Sequence, residues 1–193
     1  SAASDVYKRQ DVLAMRNTMN LIAPEKIVAA VDMMEAAGKV LCMGQGGSMI
    51  IAQEAAHLFS TASGKFFPVS DSHMQVIAAS TLDAGDLILF FSYSGATRDM
   101  IETLSQARER GGRVVLITRF TQSPGAALAD VVLQCGANES PLQLGSVPAR
   151  MAQIYLADVL FSEMCRRDMD KCRNSRNRIA DALADKHLSL IHI

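Results

Sequence analysis

The chain has 193 residues, 49% of them hydrophobic, and a formal net charge of −1. That length and composition suit one domain with a sizeable core, and the near-neutral balance argues against a nucleic-acid or membrane surface. No apolar run reaches the roughly 18–20 residues of a membrane span, and no basic stretch followed by an apolar core marks a signal peptide.

Residues Ser1 to Gln10 show no clear period, and the apolar tail Leu188–Ile193 follows a polar helix. Both read as non-native flanks of one domain spanning residues 11–187. Pro24 opens a helix at its first turn, running to about Ala37. From Lys39 onward strands and helices alternate. Five β-rich runs, Lys39–Met43, Lys65–Val69, Asp86–Phe91, Arg113–Thr118 and Asp130–Gln134, are apolar through their middles rather than alternating. Such runs are buried on both faces, as in a parallel sheet between helix layers. Ile51, Ala55, Leu58, Phe59 and Ala62 form one helical stripe, and Met100, Ile101, Leu104 and Ala107 another; His73–Ser80 is a shorter helix. Gly38, Gly64 and Gly111–Gly112 are placed to end helices in the left-handed conformation.

After the fifth run comes a loop of small and polar residues, Cys135–Val147. Pro148 then starts a long helix to about Arg166. Its segment Ala149–Phe161 is apolar nearly all round, broken mainly by Arg150, Gln153 and Asp158. That pattern predicts burial on several sides, at a subunit interface rather than centrally in the monomer, and an arginine partner for Asp158. A polar helix covers about Asn174–Lys186. The run Arg166–Arg178 sets six basic residues against Asp168 and Asp170, a solvated helix end or a docking surface. Cys42, Cys135, Cys165 and Cys172 contain no C-x-x-C pair. They read as free thiols of a reducing compartment, the cytoplasm.

The fold expected is α/β: a three-layer, doubly wound, five-stranded parallel sheet of flavodoxin-like order 2-1-3-4-5. Its ligand then sits beyond the strand C-termini, where strands 1 and 3 diverge. The loops after those strands are Gly44-Gln45-Gly46-Gly47-Ser48 and Ser92-Tyr93-Ser94-Gly95-Ala96-Thr97. Each leads into a helix N-terminus, where free N–H groups and the dipole favour an anion. Glycines allow close main-chain approach, and hydroxyls add neutral donors. Two such loops would make an anion cup without a lysine, although each alone could be a turn and a helix cap. A dinucleotide fingerprint fits less well: Met49 stands at the third glycine position, with Asp71 near the end of strand 2 as the ribose acid. A Walker loop is absent.

The string Ser92–Thr97 resembles the S-x-S-G-x-T signature of the sugar isomerase (SIS) domain, and the first loop its G-x-G-x-S loop. Other stretches are similar to the effector domain of RpiR-type sugar-responsive transcription regulators. These are Asp71–Gln75, Thr118 with Ser123-Pro124, Ala149–Ala152 and Leu156–Phe161. The resemblance, over about Ala23 to Asp185, implies a phosphorylated sugar as ligand. Its phosphate would rest on Ser48, Ser92, Ser94 and Thr97, with backbone donors near Gly47, Tyr93 and Gly95. It also implies a homo-oligomer, dimer or tetramer, with sites near a subunit interface. DNA contact would come only through an N-terminal helix-turn-helix domain that this chain lacks. No cofactor, metal or membrane partner is implied.

Isomerisation of an aldose to a ketose would need a base and a ring-opening group. His73 and Glu139 lie in loops on the binding edge and are the catalytic candidates; Glu54, His57 and Glu163 fall on helices as solvated or subunit-facing positions. No pair has a spacing that demands catalysis. The reading adopted is therefore a sugar-phosphate sensor, with a stand-alone sugar-phosphate isomerase as the alternative.

Overall fold

A computed structural model describes residues 2–137 and 147–184, with side chains from Arg9 onward. In chain order the elements are α1 (Ala2–Leu21), α2 (Pro24–Ala36), β1 (Val40–Gly44), α3 (Gly47–Ser60), β2 (Phe66–Val69), α4 (Ser72–Ser80) and β3 (Leu87–Phe91). They continue with α5 (Arg98–Glu109), β4 (Arg113–Thr118), a 3-10 turn (Ala126–Leu128), β5 (Val131–Gln134), α6 (Val147–Arg167) and α7 (Met169–Ala184). The backbone of residues 2–10 continues the helix that follows them. The tail 188–193 lies outside the described residues.

All strand pairs are parallel and the order is β2-β1-β3-β4-β5, as the sequence predicts. Side chains alternate across each strand, and this sorts the core into two layers. Val40, Cys42, Leu87, Leu89, Phe91, Val115 and Ile117 pack with α2, α3 and α6. Leu41, Met43, Ile88, Phe90, Val114 and Leu116 pack with α4 and α5. Burial pushes the Cys42 thiol up to about 12, so it stays protonated inside the sheet.

Several expectations change at the edges. β2 is not buried on both faces: Phe67 is 48% exposed and Pro68 is exposed. As an edge strand with one neighbour it tolerates a proline, which has no N–H to donate. Among the glycines expected in the left-handed region only Gly111 is there (φ 77°). Helix α2 instead ends at Ala37, whose N–H donates to Met33 O.

Helix α6 is buried along one stripe, from Ala149 and Ala152 through Leu156 and Leu160 to Met164, where it meets α1, α2 and α3 of its own chain. Asp158 lies on the opposite, exposed side and makes no ion pair among the described residues, so the predicted arginine partner is not found. Thr18 of α1 donates to Ala14 O (2.6 Å) and accepts from Gly136 N (2.9 Å), tying α1 to the segment after β5.

One buried side chain sets the exit of β1. The Gln75 amide nitrogen donates to Gly44 O (2.9 Å) and Val69 O (2.8 Å), joining the ends of β1 and β2. Gln75→Leu strips both carbonyls of this donor. It should cost about 1–3 kcal/mol and lower the thermal midpoint by several degrees; an unchanged melting curve would show that the carbonyls find other donors.

Candidate functional site

The register places Gly44, the last residue of β1, opposite Phe91, the last of β3. The two loops therefore leave the sheet side by side, one toward α3 and one toward α5, on opposite faces. Between them lies a cavity of about 230 Å³.

Of the residues proposed from sequence, Gly47, Ser48, Ser92, Tyr93, Ser94 and Thr97 line this cavity. Gly95 does not; it is buried beneath the loop and shapes it. Its φ is +63°, and a Cβ there would come within 2.7 Å of Ser123 Cβ and 2.9 Å of Thr118 Oγ1. Its N–H donates to Ser92 Oγ (3.1 Å), so that donor is spent inside the loop. Thr118 supports the same loop by donating to Tyr93 O (3.0 Å), and Gly125 N–H donates to Gly95 O (2.8 Å).

These bonds decide which groups remain for an anion. Ser92 Oγ accepts from Gly95 N, and Ser94 Oγ accepts from Ala96 N (3.3 Å). Both hydroxyls keep their own proton to donate. Thr97 occupies the N-cap position of α5, yet its side chain makes no capping bond; Gly46 at the N-cap of α3 has no side chain to do so. Two helix N-termini thus point their partial positive charge at the cavity without a side-chain cap.

Gln45, Phe91, Ala149, Arg150 and Gln153 complete the lining. They were not among the proposed site residues. Gln153, 1% exposed, is fastened to Ser48: its amide nitrogen lies 3.1 Å and its carbonyl oxygen 3.2 Å from Ser48 Oγ. This pair attaches α6 to the first loop. Arg150, one turn earlier on α6, packs its Cδ toward Gly47 and has no ion pair among the described residues. The cup expected without a lysine thus carries an arginine. Two polar residues three apart on an otherwise apolar helix were the available signal.

The titratable candidates lie elsewhere. His73 is exposed on the first turn of α4, outside the lining, and Glu139 lies outside the described residues. Glu54 and His57 face outward on α3. Glu163 binds Arg166 (2.8 Å) and Arg167 (3.0 Å), and these hydrogen bonds hold its carboxyl down to about 2. Arg167 also reaches Asp32 and Glu35 on α2, which makes this a helix-joining network. Asp71, weighed as a ribose acid, accepts from Met74 N (2.8 Å) and caps α4. Among the described residues, then, no carboxylate or imidazole lines the cavity. No helix among them is long and apolar enough to cross a membrane.

A family model described as SIS domain matches residues 33–163. Among curated relatives, an uncharacterized HTH-type transcriptional regulator of Caldanaerobacter subterraneus is 30% identical over 148 residues, 77% of this chain and 52% of that protein. The HTH-type transcriptional regulator RpiR of Escherichia coli is 30% identical over 128 residues, 66% of this chain and 43% of that protein. The chain spans about half the length of the curated relatives it matches. Among solved structures, the Vibrio vulnificus NanR protein complexed with ManNAc-6P superposes with a TM-score of 0.91 at 24% identity, covering 97% of this chain and 70% of that one. The sugar isomerase domain of an RpiR transcription factor from Sphaerobacter thermophilus gives 0.83 at 24% identity, covering 93% and 98%. At these identities the superpositions establish the fold.

Proposed function

This chain belongs to the SIS domain family, and from that membership we propose that it is the sugar-phosphate-sensing part of an RpiR-like transcription regulator of sugar metabolism. The observation that carries the reading is the cavity between β1 and β3. Hydroxyls of Ser92, Ser94 and Thr97, two helix N-termini without side-chain caps and the Arg150 guanidinium converge on one small space. Such a set of donors, with one cation beside them, suits a phosphate monoester. The similarity to NanR, which is complexed with ManNAc-6P, and to HTH-type regulators supports a phosphorylated sugar as the signal.

Sensing requires binding and a conformational readout, but no base, and the described lining supplies no carboxylate or imidazole. On this reading the protein works in the cytoplasm as a homo-oligomer, and DNA is contacted by a helix-turn-helix domain outside this chain. Ser92 and Thr97 are the residues to test. Ser92→Ala and Thr97→Ala should each weaken sugar-phosphate binding by about 1–3 kcal/mol, the usual cost of losing a hydrogen bond to a charged group. A phosphorus NMR titration against pentose, hexose, heptose and amino-sugar phosphates measures this directly. Shifted or broadened resonances without new peaks are expected. Growth of a second sugar-phosphate peak would make the protein an isomerase, and silence across the panel would remove the phosphate site.

A further inference from the structure

The cavity contains two amide side chains, and they differ in one respect. The Gln153 amide is committed to Ser48 Oγ. The Gln45 amide nitrogen is fully buried and has no hydrogen-bond partner among the described residues, although Gln45 lines the cavity. A buried donor left without an acceptor is costly, so its persistence calls for an explanation.

The backbone around Gln45 is held on both sides. Gly44 O accepts from Gln75 (2.9 Å), and Gln45 O accepts from Ser48 N (3.1 Å). A Cβ at Gly44 would come within 2.9 Å of Met49 N, so the turn from β1 into α3 is tight. The Gln45 side chain is therefore presented from a fixed stem. The charge of a phosphate is already met by Arg150, by serine and threonine hydroxyls and by the helix N-termini. A neutral amide suits a neutral acceptor, a hydroxyl or carbonyl oxygen on the carbon skeleton.

Resting on the sugar-phosphate reading above, we propose that Gln45 determines specificity by donating to an oxygen of the sugar rather than of its phosphate. The test compares the unmodified chain with Gln45→Leu, which keeps similar bulk and removes the donor. Calorimetric titrations use inorganic phosphate, ManNAc-6P, fructose 6-phosphate and ribose 5-phosphate. At least one sugar phosphate should bind the unmodified chain more tightly than inorganic phosphate does. Gln45→Leu should weaken that sugar phosphate by about tenfold or more while changing inorganic phosphate by less than about twofold. Melting of the ligand-free variant should be unchanged or higher, because an unpaired buried donor has been removed. Equal loss for phosphate and sugar phosphate, no loss for either, or no preference of the unmodified chain for any sugar phosphate over phosphate would each overturn the assignment. In all three cases the phosphate cup would still stand. Failure of the unmodified chain to bind any of the four probes would remove the cup, and this inference with it.

Discussion

Gly95→Ala is expected to abolish detectable sugar-phosphate binding and to destabilise the domain. Two independent effects act together. Gly95 holds φ at +63°, a region that costs an L-residue with a Cβ about 1–2 kcal/mol. The new Cβ would also press on Ser123, within 2.7 Å of its Cβ, and on Thr118 Oγ1 at 2.9 Å. Overpacking of this kind costs about 1–3 kcal/mol. The strain falls on the loop whose N–H groups orient Ser92 Oγ and Ser94 Oγ, so relief by moving the loop displaces the donors. Affinity should fall by at least about a hundredfold, and the denaturation midpoint should fall as well. A variant that binds normally would show that the loop can re-form around a side chain. Ser123→Gly, which removes the obstructing group, should recover part of the stability but not the cost of the backbone conformation.

Arg150→Met is the second large effect. It removes the only cationic side chain among the described residues lining the cavity. Methionine keeps the apolar stem that packs near Gly47. A hydrogen bond to a charged group contributes about 1.5–3 kcal/mol, so affinity for a sugar phosphate should drop roughly ten- to a hundredfold. The dependence on ionic strength should flatten, because a screened charge pair has been lost. Arg150→Lys should recover only part of the affinity, since it restores the charge without the planar fork. Thermal stability should change little, as Arg150 has no ion pair among the described residues to lose. Unaltered affinity and salt dependence would place Arg150 away from the phosphate.

The two effects differ in how far they could be read in advance. Gly95 is legible as a loop glycine within Ser92–Thr97, but residue identity does not show that its N–H donates to Ser92 Oγ. A hydrogen bond within a loop depends on backbone dihedrals, which residue identity constrains only loosely. Arg150 and Gln153 were visible as polar breaks in an apolar helix. Their meaning required knowing that α6, about fifty residues after the second loop, returns over α3. Gln45 stands at a variable position of the glycine loop, and only the packing shows its amide nitrogen buried without a partner among the described residues. Asp158 shows the reverse error, since composition put a charge inside a buried helix and the observed packing turned it to water.

By itself, the sequence determined the α/β class and the five strands, because apolar runs of strand length alternate with helical periods; among the few right-handed, unknotted orders left, it favoured 2-1-3-4-5, the order the structure has. It also determined which two loops meet at the switch point, because strands 1 and 3 must diverge there. Tertiary structure alone decided which donors in those loops remain free, which helix closes the cavity and which charge enters it. These depend on contacts between residues far apart in the chain, such as Ser48 with Gln153, and on local dihedrals such as that of Gly95. Periodicity reports the face on which a residue lies, while the partner it meets there is set by how the layers pack.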